Sequence, residues 1–152
     1  MTATKIVDGE VVLLSPLEIA EIEAAAPAPE HILSQVYAER ERRLALGFDY
    51  DFGDARGVHH IGTTPADMVG WDEVSKLAGA ALALGLTASA VTIVTDTGPV
   101  EVTAMEWQQI LVAAGAFRQP IWQRSFVLAA MVAAATSPDD LRAINPTEGW
   151  PE

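Results

Sequence analysis

Residues 47–64 read GFDYDFGDARGVHHIGTT, and the way this stretch folds decides the architecture. Phe48, Tyr50 and Phe52 alternate with Asp49 and Asp51, so a strand here sets three aromatic rings on one face and two carboxylates on the other. In GDARG, Gly53 and Gly57 can supply the positive φ that a tight reversal needs. VHHIGTT then returns as a second strand, with Val58 and His60 on one side and His59 and Ile61 on the other. The expected structure is a hairpin with one buried and one solvated face, which places a β element inside a chain that otherwise reads as helical.

The same residues hold the densest set of candidate metal ligands and acid–base groups in the chain: Asp49, Asp51, Asp54, His59 and His60. Adjacent histidines on a strand point to opposite faces, so one at most can join the acids, and the third histidine, His31, falls in a separate helix. A calcium loop requires acids at alternate positions, a glycine at the sixth and a late glutamate. Phe52 and Gly53 stand where ligands belong, and no glutamate follows. No metal is expected from this set.

Outward from the hairpin, four segments share one device: SPLE (Ser15–Glu18), TPAD (Thr64–Asp67), TAME (Thr103–Glu106) and SPDD (Ser137–Asp140). In each, a Ser or Thr hydroxyl can accept a hydrogen bond from an orphaned backbone N–H, and an acid three residues on can reach back. Each such cap is worth about 1 kcal/mol and marks a helix start. Helices are predicted over about 16–25, 30–46, 65–84 and 103–136. The first stops in AAAPAP, the second at Gly47 and the third at Gly85, and Pro120 is expected to kink or break the last near Gln119.

The expected apolar stripes are Ile32, Leu33, Val36, Tyr37 and Leu44 in the second helix, and Met68, Trp71, Val74, Leu77, Ala78, Ala81 and Leu82 in the third. The last helix contributes Met105, Ile110, Leu111, Ala114 and Phe117, then Ile121, Trp122, Phe126 and Met131. Asp8-Gly9 between two apolar runs predicts a ribbon over Lys5–Leu14, and SAVTIVTDTGPVEVT predicts strands near 91–95 and 100–102 about a Gly98-Pro99 turn. The fold class is α+β and mainly helical, with about three long helices and two short β-hairpins. A hairpin–helix arm over 1–28 precedes the domain at 29–144, and a flexible tail at 145–152 is expected to fray after Ile144.

A chain of 152 residues can bury roughly 68–70% of its unfolded surface, enough for one core without staples. Twenty-one Asp and Glu against nine Lys and Arg leave a formal charge of −12, which repels phosphate backbones and anionic headgroups. Nucleic acid and membrane are therefore not expected partners. The N-terminal residues lack the basic and apolar regions of a secretion signal, and the most apolar window, Ser125–Ala135, falls short of the ~20 residues needed to span a bilayer, so a soluble chain is expected. With no cysteine, thiolate metal sites, disulfides and cysteine nucleophiles are excluded.

Phosphate-cradling glycine loops, G-x-S-x-G and H-E-x-x-H are absent, and no pair of carboxylates is singled out. No catalytic residue, cofactor or enzymatic activity is expected. The stretch EWQQILVAAGAFRQPIW (Glu106–Trp122) instead gathers two tryptophans, a phenylalanine and Arg118 around a proline. Most of it is expected to be core, with Trp107, Arg118 and Trp122 as candidate contacts, since Trp and Arg are enriched in interface hot spots. Val11 and Leu13 on the N-terminal ribbon complete the candidate interface.

The pattern formed by Arg43, Gly47, Phe48, Tyr50, Phe52, His60, Ile61, Thr63, Asp67, Trp71, Thr103, Glu106 and Trp107 resembles a family of small phage and prophage proteins. Their genes lie among tail and tail-fibre genes, and the resemblance covers about residues 30–136. It implies a non-enzymatic virion protein of the tail, tail tip or tail fibre, made in the host cytoplasm before assembly and attached to other tail or fibre proteins. A homo-oligomer, trimer or hexamer, is implied within the particle. The alternative it implies is a tail-fibre assembly chaperone absent from the mature virion. The family has no known catalytic residues to carry over.

Overall fold

The computed structural model describes residues 4–7, 10–18 and 27–151. Strands β1 (Thr4–Val7) and β2 (Glu10–Leu13) pair antiparallel with Ile6 opposite Val11. The expected ribbon is present, although its Asp8-Gly9 turn lies outside the described residues. Beyond it, Glu18 accepts from the backbone N–H and the hydroxyl of Ser15, and residues 16–18 are helical. The remainder of the helix predicted to Ala25 lies outside the described residues.

The domain then runs α1 (Pro29–Leu44), β3 (Phe48–Asp51), β4 (Val58–Ile61), α2 (Pro65–Ala83), β5 (Ala90–Thr95), β6 (Gly98–Thr103), α3 (Ala104–Ala134) and α4 (Pro138–Arg142). It is the mainly helical α+β fold that the sequence predicts. Thr64, Thr103 and Ser137 cap α2, α3 and α4, each with both halves of the capping box formed. The β3–β4 register sets Phe48 opposite Ile61 and Tyr50 opposite His59 on the inner face, and Asp49 opposite His60 on the outer.

Among the described residues two apolar clusters make up the core, and α3 belongs to both. The first packs Ile61, Trp71, Ile93, Val100 and Val102 around Trp107, Ile110 and Ala114, joining both hairpins and α2 to the first half of α3. Trp71 meets Trp107 edge to face at 5.2 Å. The second packs Ile32, Val36 and Leu44 of α1 against Ile121, Leu128 and Val132 of the second half of α3. Phe48 stacks on Phe117 at 5.7 Å and so joins the two.

Four expectations are corrected. Of the kink or break expected at Pro120, the break does not occur, since α3 runs continuously from Ala104 to Ala134. Pro120 and Ala116, whose carbonyl loses its N–H partner, both lie on the exposed side, where water can take over that bond. A proline inside a helix costs about 3 kcal/mol, from the lost hydrogen bond and the crowding of its ring against the carbonyl four residues back. Burying Ile121 and Leu128 beyond the proline contributes about 1.5–3 kcal/mol each and outweighs it.

The second correction is the turn of the β5–β6 hairpin. Thr95 pairs with Gly98, so Asp96 and Thr97 form it, not Gly98-Pro99. Pro99 sits opposite Val94, next to the closing pair, at a position whose N–H would point away from the ladder.

Third, the C-terminal segment does not fray. Trp150 is only 7% exposed within the α1–α3 cluster. Arg43 donates to the Pro151 carbonyl at 2.7 Å, and Arg124 to that of Glu148 at 2.8 Å. Fourth, Tyr37, Leu77, Met105, Phe126 and Met131, expected on buried stripes, are exposed.

Candidate functional site

The chemical groups of the 47–64 hairpin are brought close in space but engaged separately. His60 Nδ1 lies 2.7 Å from Asp49 Oδ1, its Nε2 lies 2.9 Å from the Leu46 carbonyl, and Asp96 stands 3.9 Å away. Both primary neighbours are acceptors, so the ring satisfies both only as imidazolium. Hydrogen bonding to Asp49, then to Leu46, raises the His60 pKa above its ordinary 6.5. His59 points to the other face, where its Nδ1 meets the Thr95 hydroxyl at 2.9 Å and its ring meets Phe52 edge-on.

The remaining acids of the hairpin serve its turn. Asp51 accepts from the Gly53 N–H, and Asp54 accepts from the backbone and guanidinium of Arg56. Arg56 continues to the Glu101 carbonyl and to Glu106, the acid of the α3 capping box, tying the hairpin turn to the start of α3. The guanidinium and the Thr103 N–H hold the Glu106 pKa down to about 2. Among the described residues no three His, Asp or Glu side chains gather as a metal site.

Beside this hairpin, β4, β5 and α2 border an open cleft of about 300 Å³, lined by Ile61, Trp71, Val74 and Ile93 with Glu73 and Asp96 exposed along it. Asp67 also lines it, but its carboxylate is engaged by the N–H and hydroxyl of Thr64. The lining can take up an apolar group of side-chain size. Among the described residues that line it, no nucleophile is paired with a base.

The five predicted contact residues separate into four places. Val11 and Leu13 lie on one face of the ribbon with Ile6, and they are 72% and 62% exposed. Trp107 is withdrawn from the contact set: it is 1% exposed, and its indole N–H donates to Ser75 Oγ at 3.0 Å inside the first cluster. Arg118 lines a shallow groove with Glu41, Leu44, Thr63 and Met68. Trp122 lies half-buried against the second cluster, with the Arg40 guanidinium 4.3 Å from its ring centre and the Phe126 ring tilted beside it at 5.9 Å. Sequence reasoning missed the exposure of Phe126 and Val112 on the same helix.

Residues 25–145 match a family described as a domain of unknown function (DUF4376). The chain belongs to this family. The match takes in α1 through α4 and leaves out the ribbon. No curated protein and no solved structure matches the chain.

Proposed function

We propose that the protein is a non-enzymatic structural component of a phage tail, tail tip or tail fibre, present there as a homo-oligomer and attached to other tail proteins through its N-terminal ribbon. The observation that carries this reading is the ribbon itself. One face presents Ile6, Val11 and Leu13 to solvent, and a two-stranded ribbon of this size is marginal alone. Its outer strand edges also carry unpaired N–H and C=O groups able to extend a sheet in a neighbouring subunit. The resemblance to small tail-associated proteins supplies the setting.

The engagement of the hairpin histidines and acids in structural bonds supports the non-enzymatic part of the reading. The test is to replace Val11 and Leu13 together by Asp, which adds charge to the docking face without touching the domain core. Particles assembled with this variant are expected to contain it at less than about a tenth of the wild-type level, the effect of losing roughly 1.4 kcal/mol or more of attachment. Unchanged incorporation would refute attachment through the ribbon.

A further inference from the structure

We infer that the outward face of α3 is a seam on which a second copy of this chain packs. Val112, Ala116, Gln119, Gln123, Phe126 and Ala130 succeed one another at intervals of four and three residues, and every one is exposed. Val112 and Phe126 are 74% and 61% exposed. A 4–3 alternation is the 3.5-residue period at which helices meet along a common line. The neighbouring Val127 and Met131 are exposed too and widen the apolar strip.

Charge identifies the occupant. From Trp107 to the end of α3 the only charged residues are Arg118 and Arg124, both half-buried, and Arg124 is turned to the Glu148 carbonyl. The exposed residues of this line are uncharged on a molecule that carries −12, and the charge that borders them, Arg40 over Trp122, is basic, so it is where two copies can approach without bringing acids together. A basic partner would find no counter-charge there. A contact between identical faces must be self-complementary, and the amides of Gln119 and Gln123 each carry a donor and an acceptor. Pro120 has no N–H to give the Ala116 carbonyl, which leaves an acceptor on the same line for a glutamine of the facing helix.

This deepens the proposed homo-oligomer by giving it a surface. Its test reads the purified chain rather than the particle, so the two readings fail separately. Sedimentation velocity of the full chain over about 1–100 µM should show a mass that is a multiple of the 16.2 kDa monomer, populated according to concentration. Replacing Ala116 and Ala130 together by Glu keeps good helix formers on an exposed face. It should weaken self-association at least about tenfold while leaving the circular dichroism unchanged.

The same charge change on the exposed side of α2, Ala80→Glu with Ala83→Glu, should leave self-association as in the wild type. A monomer throughout the range would overturn the inference. So would an oligomer indifferent to the α3 pair, or one dissociated equally by the α2 pair.

Discussion

His60 and Asp49 face each other across the β3–β4 hairpin with Nδ1 2.7 Å from Oδ1, while the far nitrogen of the same ring reaches the Leu46 carbonyl at the end of the turn after α1. One imidazolium thus joins the outer face of the hairpin to the segment that leads into it, with Asp96 of the neighbouring hairpin adding a second negative charge. Because the folded-state pKa is raised above 6.5, the stabilisation is fully present below that value. It is lost as pH rises through the raised pKa. The difference in urea midpoint between wild type and His60→Gln is expected to be largest near pH 6 and to shrink steadily above about pH 6.5. A difference independent of pH would refute the bridging role.

Glu106 predicts the opposite slope. Its pKa is depressed from 4.5 to about 2, first by Arg56 and then by the Thr103 backbone. Its stabilisation is therefore present above about pH 4.5 and is lost as pH falls toward 2. Glu106→Gln keeps an oxygen for the Thr103 N–H but removes the charge facing Arg56. It should cost about 1 kcal/mol at pH 7 and clearly less at pH 2.5, where protonation has begun to remove the stabilisation, read from chemical denaturation at both values.

Gly47 holds φ at +75°, and a Cβ there would fall 2.5 Å from His60 Nε2 and 2.6 Å from the Ile61 carbonyl oxygen. Gly47→Ala should cost the roughly 1–2 kcal/mol of a left-handed non-glycine residue plus the clash, about 3 kcal/mol together. Gly53, at φ +69° with open space around it, gives the control. Gly53→Ala should cost only about 1 kcal/mol.

Trp107 and Trp150 test two of the corrected positions. Trp107→Ala empties the centre of the first cluster and should cost about 3–5 kcal/mol. Trp150→Ala should cost about 2–4 kcal/mol, since the indole covers the α1–α3 cluster and faces Arg43 at 5.8 Å. If residues 145–151 frayed instead, Trp150→Ala would leave the thermal midpoint unchanged.

The local elements were legible because their causes are local. Thr64, Thr103 and Ser137 with their acids three residues on mark three helix starts to the residue, and the Phe48–Tyr50 alternation gives the correct inner face of the hairpin. What was misread depends on distant partners. The rule that proline ends a helix holds for a helix alone, whereas α3 is packed on both sides of Pro120 by two clusters whose other members lie as far away as Ile32 and Trp71. The docking of Trp150 relies on Arg43, more than a hundred residues earlier, and no periodicity in the polar tail announces it.

Candidate contacts were only partly legible for the same reason. Trp107 and Trp122 are alike in composition and surroundings along the chain, but the hairpins bury the first and leave the second half-covered. Phe126 and Met131 continue the helical apolar spacing beyond it. They end exposed because α1 and the C-terminal segment cover only one side of the second half of α3.

The measurement that bears most directly on the structural-protein reading is quantitative mass spectrometry of purified phage particles, counting this chain against the major tail protein. The account predicts a fixed stoichiometry of about three or six copies per particle, as a symmetric tail component requires. Absence of the chain from finished particles, with its presence confined to the infected cell, would contradict it and favour an assembly chaperone.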